Sequence, residues 1–82
     1  MSNCNSALAA GLALKYYIKV NYSSQQAFAD DFGADLRTVN RYVTTGINYM
    51  PTIEEIANFF QIDFLEFLKL GKELLERGQQ SK

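Results

Sequence analysis

Few residues of this chain could take part in chemistry, and what is missing narrows the options first. None of its 82 residues is histidine, so the commonest general base and the commonest zinc ligand are both lacking. The single cysteine, Cys4, lies in a polar N-terminal stretch. It has no partner for an intramolecular disulfide, fits a reducing intracellular setting, and is expected to be a bystander. The neighbouring carboxylates Asp30–Asp31 and Glu54–Glu55 would project about 100° apart on helices, too far to work as an acid–base pair. There is also no Gly-rich phosphate loop, so no enzyme activity, cofactor or metal site is expected. What remains is hydrogen-bonding chemistry. In LRTVNRYVT, Leu36, Arg37, Asn40, Arg41 and Thr44 share one face at helical spacing, and no acid follows Asp35. A merely solvated face usually carries Glu and Lys; this one offers donors without a counter-charge.

Positioning such a face requires a second element, and residues Ser23 to Thr44 supply it. An apolar helix, AFADDF, closes at Gly33, and the next, LRTVNRYV, opens after Asp35. The chain must turn sharply between them, which is the signature of a helix-turn-helix: one helix supports, the other reads a DNA groove. The first helix starts at Ser24 as N-cap, or at Ser23 with Gln26 completing a capping box. Ala27, Phe28 and Phe32 provide apolar bulk, Ala29 lets the partner helix approach, and Gly33 takes a left-handed backbone. Asp35 is the expected N-cap of the second helix, and Val39 and Tyr42 are its packing stripe.

The rest of the chain must support this pair. At 82 residues with 48% hydrophobic content, one small domain with a packed core is expected, without help from metal or disulfide. Residues 1–5 read as a polar tail. Ser6 caps a helix running to about Val20, with Ala7, Ala10, Leu14, Tyr17 and Ile18 on its buried face and Lys15 and Lys19 on a solvated one. The apolar run Ala7–Leu14 has no basic flank before it and is too short to span a bilayer, so a cytoplasmic protein without membrane attachment is expected. After a loop containing Gly46, Thr52 with Glu55 three residues on forms a capping box for a fourth helix, Ile53 to about Gln61, which buries Ile53, Ile56, Ala57 and Phe60. Asp63 caps a fifth helix that ends near Arg77 before Gly78. Residues 79–82 form a second tail. The five tyrosines, Tyr16, Tyr17, Tyr22, Tyr42 and Tyr49, are expected in core and rim rather than as base-stacking platforms. No alternating apolar pattern calls for strands, so the reading is all-α, five helices in one domain over residues 6–78.

The fifth helix carries more apolar surface than one contact needs. At about 100° per residue, Phe64, Leu65, Phe67, Leu68, Leu70, Gly71, Leu74 and Leu75 cover roughly 220°, against a stripe of about 100° for one core face. Either the other helices cover it all or a second chain lies on the Phe67, Leu70 and Leu74 edge. The dimer is the favoured expectation, with 63–78 as dimerisation helix.

With Gln25 as the first residue of the two-helix unit, Phe28 and Ala29 are fourth and fifth, Phe32, Gly33 and Ala34 eighth to tenth, Val39 fifteenth and Tyr42 eighteenth. This pattern resembles the lambda-repressor-like helix-turn-helix family, of the Cro and phage-repressor type. The likeness extends over about residues 7–70 and includes the segment Pro51-Thr52-Ile53-Glu54-Glu55-Ile56-Ala57. It implies a five-helix DNA-binding domain in which helices 2 and 3 form the helix-turn-helix. Gln25 and Gln26 would then meet phosphate or a base edge. Arg37, Asn40 and Arg41 would face the major groove, where Arg matches guanine O6 and N7 and Asn matches adenine N6 and N7. Thr38 and Thr44 would touch phosphate.

The expected function is therefore a sequence-specific transcriptional regulator, a repressor in the simplest case. It would bind double-stranded DNA as a homodimer on a near-palindromic operator. The charge tempers this. The net charge is −1 and the pI about 5.2. Residues 1–50 carry four basic and three acidic side chains, residues 51–82 four and six. Weak non-specific binding and a shallow salt dependence follow. The alternative is an interaction module or antirepressor that keeps the fold without binding DNA.

Overall fold

The computed structural model describes residues 3–80. Five α-helices follow one another, α1 (Asn3–Asn21), α2 (Gln25–Phe32), α3 (Leu36–Thr45), α4 (Met50–Phe59) and α5 (Phe64–Gln80), and no strand occurs among the described residues. The expected all-α, five-helix architecture is what forms. Met1, Ser2, Ser81 and Lys82, the outer parts of the two expected tails, lie outside the described residues. No helix among the described residues is long and apolar enough to cross a membrane.

Helix α1 is the hub, in contact with α5, α3 and α2. Ala7, Ala10, Leu14 and Ile18 are buried as their spacing predicts, but Ala9 and Ala13, off that stripe, are fully buried too. A helix covered on more than one side needs small residues where its neighbours approach. On the Ala9 side the neighbour is α5. A Cβ at Gly71 would run into the backbone oxygen of Ala9, so glycine is what lets these two helices meet. On another side the turn after α3 is tied down by the Ile47 N–H, which donates to the Ala7 carbonyl at 3.0 Å. Gly71→Ala should therefore cost about 1–3 kcal/mol of stability through overpacking. Urea unfolding checks this, and an unchanged midpoint would contradict the close approach.

Aromatic rings carry the core from α5 to the α2–α3 pair. Tyr17 stacks on Phe67 with centroids 5.8 Å apart and leans on Phe60 at 5.4 Å. Phe60 stacks on Phe28 at 5.5 Å, and Phe28 on Phe32 at 5.2 Å. Each contact adds specific geometry to the area it buries. Phe28 is among the largest fully buried side chains, and through it α2 is fixed to the body of the protein.

The helix ends show where local signals prevail. Ser24, not Ser23, caps α2, its Oγ accepting from the Ala27 N–H at 3.1 Å. Gly33 has φ 89°, and the N–H groups of Gly33 and Ala34 both donate to Ala29 O at 2.9 Å, closing α2 as expected. Asp63 caps α5, its Oδ2 accepting from the Leu65 N–H at 3.1 Å.

Four boundaries differ from the sequence reading. α1 starts at Asn3, so Ser6 lies inside the helix and Asn3–Asn5 are not tail. α4 starts at Met50 with Tyr49 in the cap position and Pro51 in the first turn. Proline is welcome there because the first N–H groups have no helical acceptor; Thr52 thus falls inside the helix and the Thr52–Glu55 capping box does not form. α4 also stops at Phe59, about two residues early. α5 passes through Gly78 to Gln80, since a helical glycine costs only about 1 kcal/mol and stops a helix only when the chain turns left-handed there.

Such a left-handed turn does occur after α4, on a residue that is not glycine. Gln61 has φ 61°, while its N–H donates to Asn58 O and that of Ile62 to Ala57 O, each at 2.9 Å. A side chain in this conformation costs about 1–2 kcal/mol. Gln61→Gly should raise stability by about 1 kcal/mol, read as an upward shift in thermal midpoint; a drop would show that the Gln61 side chain contributes more than its backbone strain removes.

Candidate nucleic-acid interface

Three segments build the candidate surface: the start of α2, the outer face of α3 and the turn between α3 and α4. The α2–α3 angle is set by fully buried Phe28, Ala29 and Val39, with Phe32 and Tyr42 half-buried against them. With Val39 turned inward, Arg37, Asn40, Arg41 and Thr44 are all exposed, and Leu36 is partly so at the head of the same face. Thr38 is half-buried at the margin. Asp35 occupies the N-cap position of α3, but its carboxylate makes no capping hydrogen bond.

The polar groups on this surface are not equally free. Thr44 Oγ1 donates to Asn40 O at 2.8 Å, with a longer approach to Arg41 O at 3.3 Å, and Thr45 Oγ1 donates to Arg41 O at 2.8 Å. A hydroxyl has a single proton. In this rotamer the Thr44 proton is engaged by the backbone of its own helix, leaving its oxygen to accept. Gln26 is drawn along its own helix, its Nε2 donating to Asp30 Oδ1 at 2.9 Å. Gln25 is half-buried, and its Oε1 is enclosed without a hydrogen-bond partner.

Two hollows flank this face of α3. At the start of α2 one of about 340 Å³ brings Gln25, Ser23 and Ser24 together with Lys15 and Lys19 of α1. The lysine pair, expected merely to be solvated, thus stands beside the positive end of the α2 dipole. Tyr22 also borders this hollow. Its hydroxyl donates to Asp31 Oδ2 at 2.6 Å, and that bond, more than burial, holds the phenol above its ordinary pKa. At the far end of α3 a cleft of about 390 Å³ joins Arg41 and Thr45 to Asn48, Tyr49 and Thr52.

The sequence reading missed Asn48 and Tyr49. Tyr49 was expected in core or rim, yet it is 67% exposed. A signal was present in the acid-free run Thr44–Thr52 that continues the character of the α3 face. The remaining departure concerns the expected dimer edge. Phe67 is fully buried within the single chain and packed on Tyr17, so it presents nothing to a partner; Leu70 and Leu74 stay half-exposed.

Chemically, the surface can donate through two guanidinium groups and the carboxamides of Asn40 and Asn48, accept through hydroxyls, and make apolar contact through Leu36 and Tyr49. Among the described residues no group of His, Cys, Asp or Glu is arranged to hold a metal ion. No protein-family model, no curated protein and no solved structure matches this chain.

Proposed function

We propose that the protein is a sequence-specific DNA-binding regulator, acting as a repressor in the simplest case, with α3 entering the major groove. The observation that carries this reading is the exposed, acid-free face of Arg37, Asn40 and Arg41, set on a helix whose angle to α2 is fixed by a Ser24 cap, a left-handed Gly33 and buried Phe28, Ala29 and Val39. Arg and Asn are the side chains whose paired hydrogen bonds distinguish guanine and adenine in that groove. The lambda-repressor-like arrangement belongs to this proposal, as does action as a homodimer that presents two α3 helices to grooves about 34 Å apart.

Binding of random-sequence duplex at low salt, followed by selection of bound sites from a random pool, tests the proposal. Retardation that weakens with salt along a shallow slope is expected, because few cations are available to displace counterions. A slope like that of a strongly basic protein would contradict the charge argument. Absence of retardation at any salt would replace the proposal with the interaction-module reading, which the net charge of −1 favours.

A further inference from the structure

A continuous apolar flank runs where α1 and α5 lie side by side. On α1, Leu8, Leu12 and Tyr16 recur every four residues, with Leu8 and Tyr16 exposed and Leu12 half-exposed. Beside them on α5, Leu70 and Leu74 stand one turn apart and half-exposed. Two hollows adjoin here, one of about 260 Å³ walled by Leu12, Tyr16 and Leu74, and one of about 270 Å³ walled by Tyr17 and Leu70. The Tyr16 and Tyr17 rings, edge to face with centroids 5.3 Å apart, connect the two.

The rims of this flank carry opposite charge. Lys15 and Lys19 line the α1 side. Glu66 and Glu73 line the α5 side, with Lys69 between them. Burial, then the neighbouring Tyr16 phenol and the Glu66 carboxylate, push the Tyr17 hydroxyl above its ordinary pKa.

We propose that a second copy of this chain covers the flank about a two-fold axis, so that the Lys15–Lys19 rim of each copy faces the Glu66–Glu73 rim of the other across the paired Leu12, Tyr16, Leu70 and Leu74 rows. A two-fold interface is self-complementary, each patch meeting its own counterpart. A surface basic along one edge and acidic along the other satisfies that condition with itself. The apolar row supplies the attraction, and the rims set orientation and exclude the reversed register. The interface thus centres on the α1–α5 seam rather than on α5 alone.

This inference rests on the dimeric part of the proposed function, and its test is made without DNA so that the two can fail separately. Sedimentation of the full chain up to about 0.5 mM should show a reversible dimer. Lys15→Glu with Lys19→Glu should weaken self-association at least about tenfold, and Glu66→Lys with Glu73→Lys should do the same, because each variant sets like charges against each other at both rims. An equimolar mixture of the two variants should recover a heterodimer, since opposite charges then meet at both rims. Circular dichroism of each variant confirms that it is folded, and recovery in the mixture shows that neither is misfolded. A parent that stays monomeric throughout, variants that dimerise as tightly as the parent, or a mixture that stays monomeric would each overturn the interface while leaving the α3 assignment to its own test.

Discussion

Replacing Phe67 with alanine is expected to lower the free energy of unfolding by about 3–5 kcal/mol, the cost of deleting a large buried ring and leaving a cavity behind. The ring is fully buried and stacks on Tyr17, which leans in turn on Phe60 and through it on Phe28. Its loss removes the first link in the row of rings that anchors α2. Because the contacts lie within one chain, the change in unfolding free energy should be the same at low and high protein concentration. Chemical denaturation at two concentrations checks both parts. A loss below about 1 kcal/mol would show that Phe67 is not the core residue its burial makes it. A strongly concentration-dependent loss would return it to an interface.

The second large effect is expected on DNA affinity. Arg41→Ala should weaken binding to a selected site by about 1–3 kcal/mol, or roughly tenfold to more than a hundredfold. Arg41 is the residue to test first because it belongs to two parts of the surface: it lies on the exposed α3 face and also lines the cleft shared with Thr45, Asn48 and Tyr49. A guanidinium on a base edge and one on phosphate give different signatures. Losing the first relaxes preference at one base pair; losing the second weakens all sites alike and reduces the salt slope by about one. Competition binding against a panel of single-base variants separates them. Equal affinity of variant and parent for every probe would remove α3 from the role of reader.

These two residues illustrate what the amino-acid sequence could and could not reveal. The existence of five helices was legible, and so were the caps at Gly33 and Asp63 and, between the alternatives Ser23 and Ser24, the start of α2, because each depends on interactions within a few residues. Gly33 needs only its own backbone angle, and Ser24 only the amide three residues on. The start of α4 was not legible, because Pro51 and the Thr52–Glu55 pair are competing local signals and the proline falls within the first turn. Phe67 failed for a different reason. Periodicity places it on an apolar arc of α5, but the division of that arc between core and surface depends on where α1 lies. That is decided by Gly71 meeting the Ala9 backbone, a contact between residues far apart in the chain.

The candidate site shows the same division. That Arg37, Asn40 and Arg41 share an exposed face followed from helical spacing and the inward Val39. That the Thr44 proton is engaged by the backbone one turn earlier did not, since a threonine within a helix can either bond back to its own helix or reach outward. The contribution of Asn48 and Tyr49 depends on how the turn is pinned to α1 through Ile47 and Ala7, a link that no local pattern announces.

That α1 is wrapped by the last helix has a bearing on how the protein is made. Synthesis runs from the N-terminus, so α1, which supplies more of the buried core than any other helix, emerges before α5, and its Ala9–Ala13 side waits uncovered until α5 has cleared the ribosome. A chain stalled before Phe64 would hold α2 with its Ser24 and Gly33 caps, followed by α3, but lack Phe67 and Gly71, the residues against which α1 and Tyr17 settle. The candidate surface on α3 is therefore encoded ahead of the residues, Phe67 and Gly71, on which the packing of α1 depends.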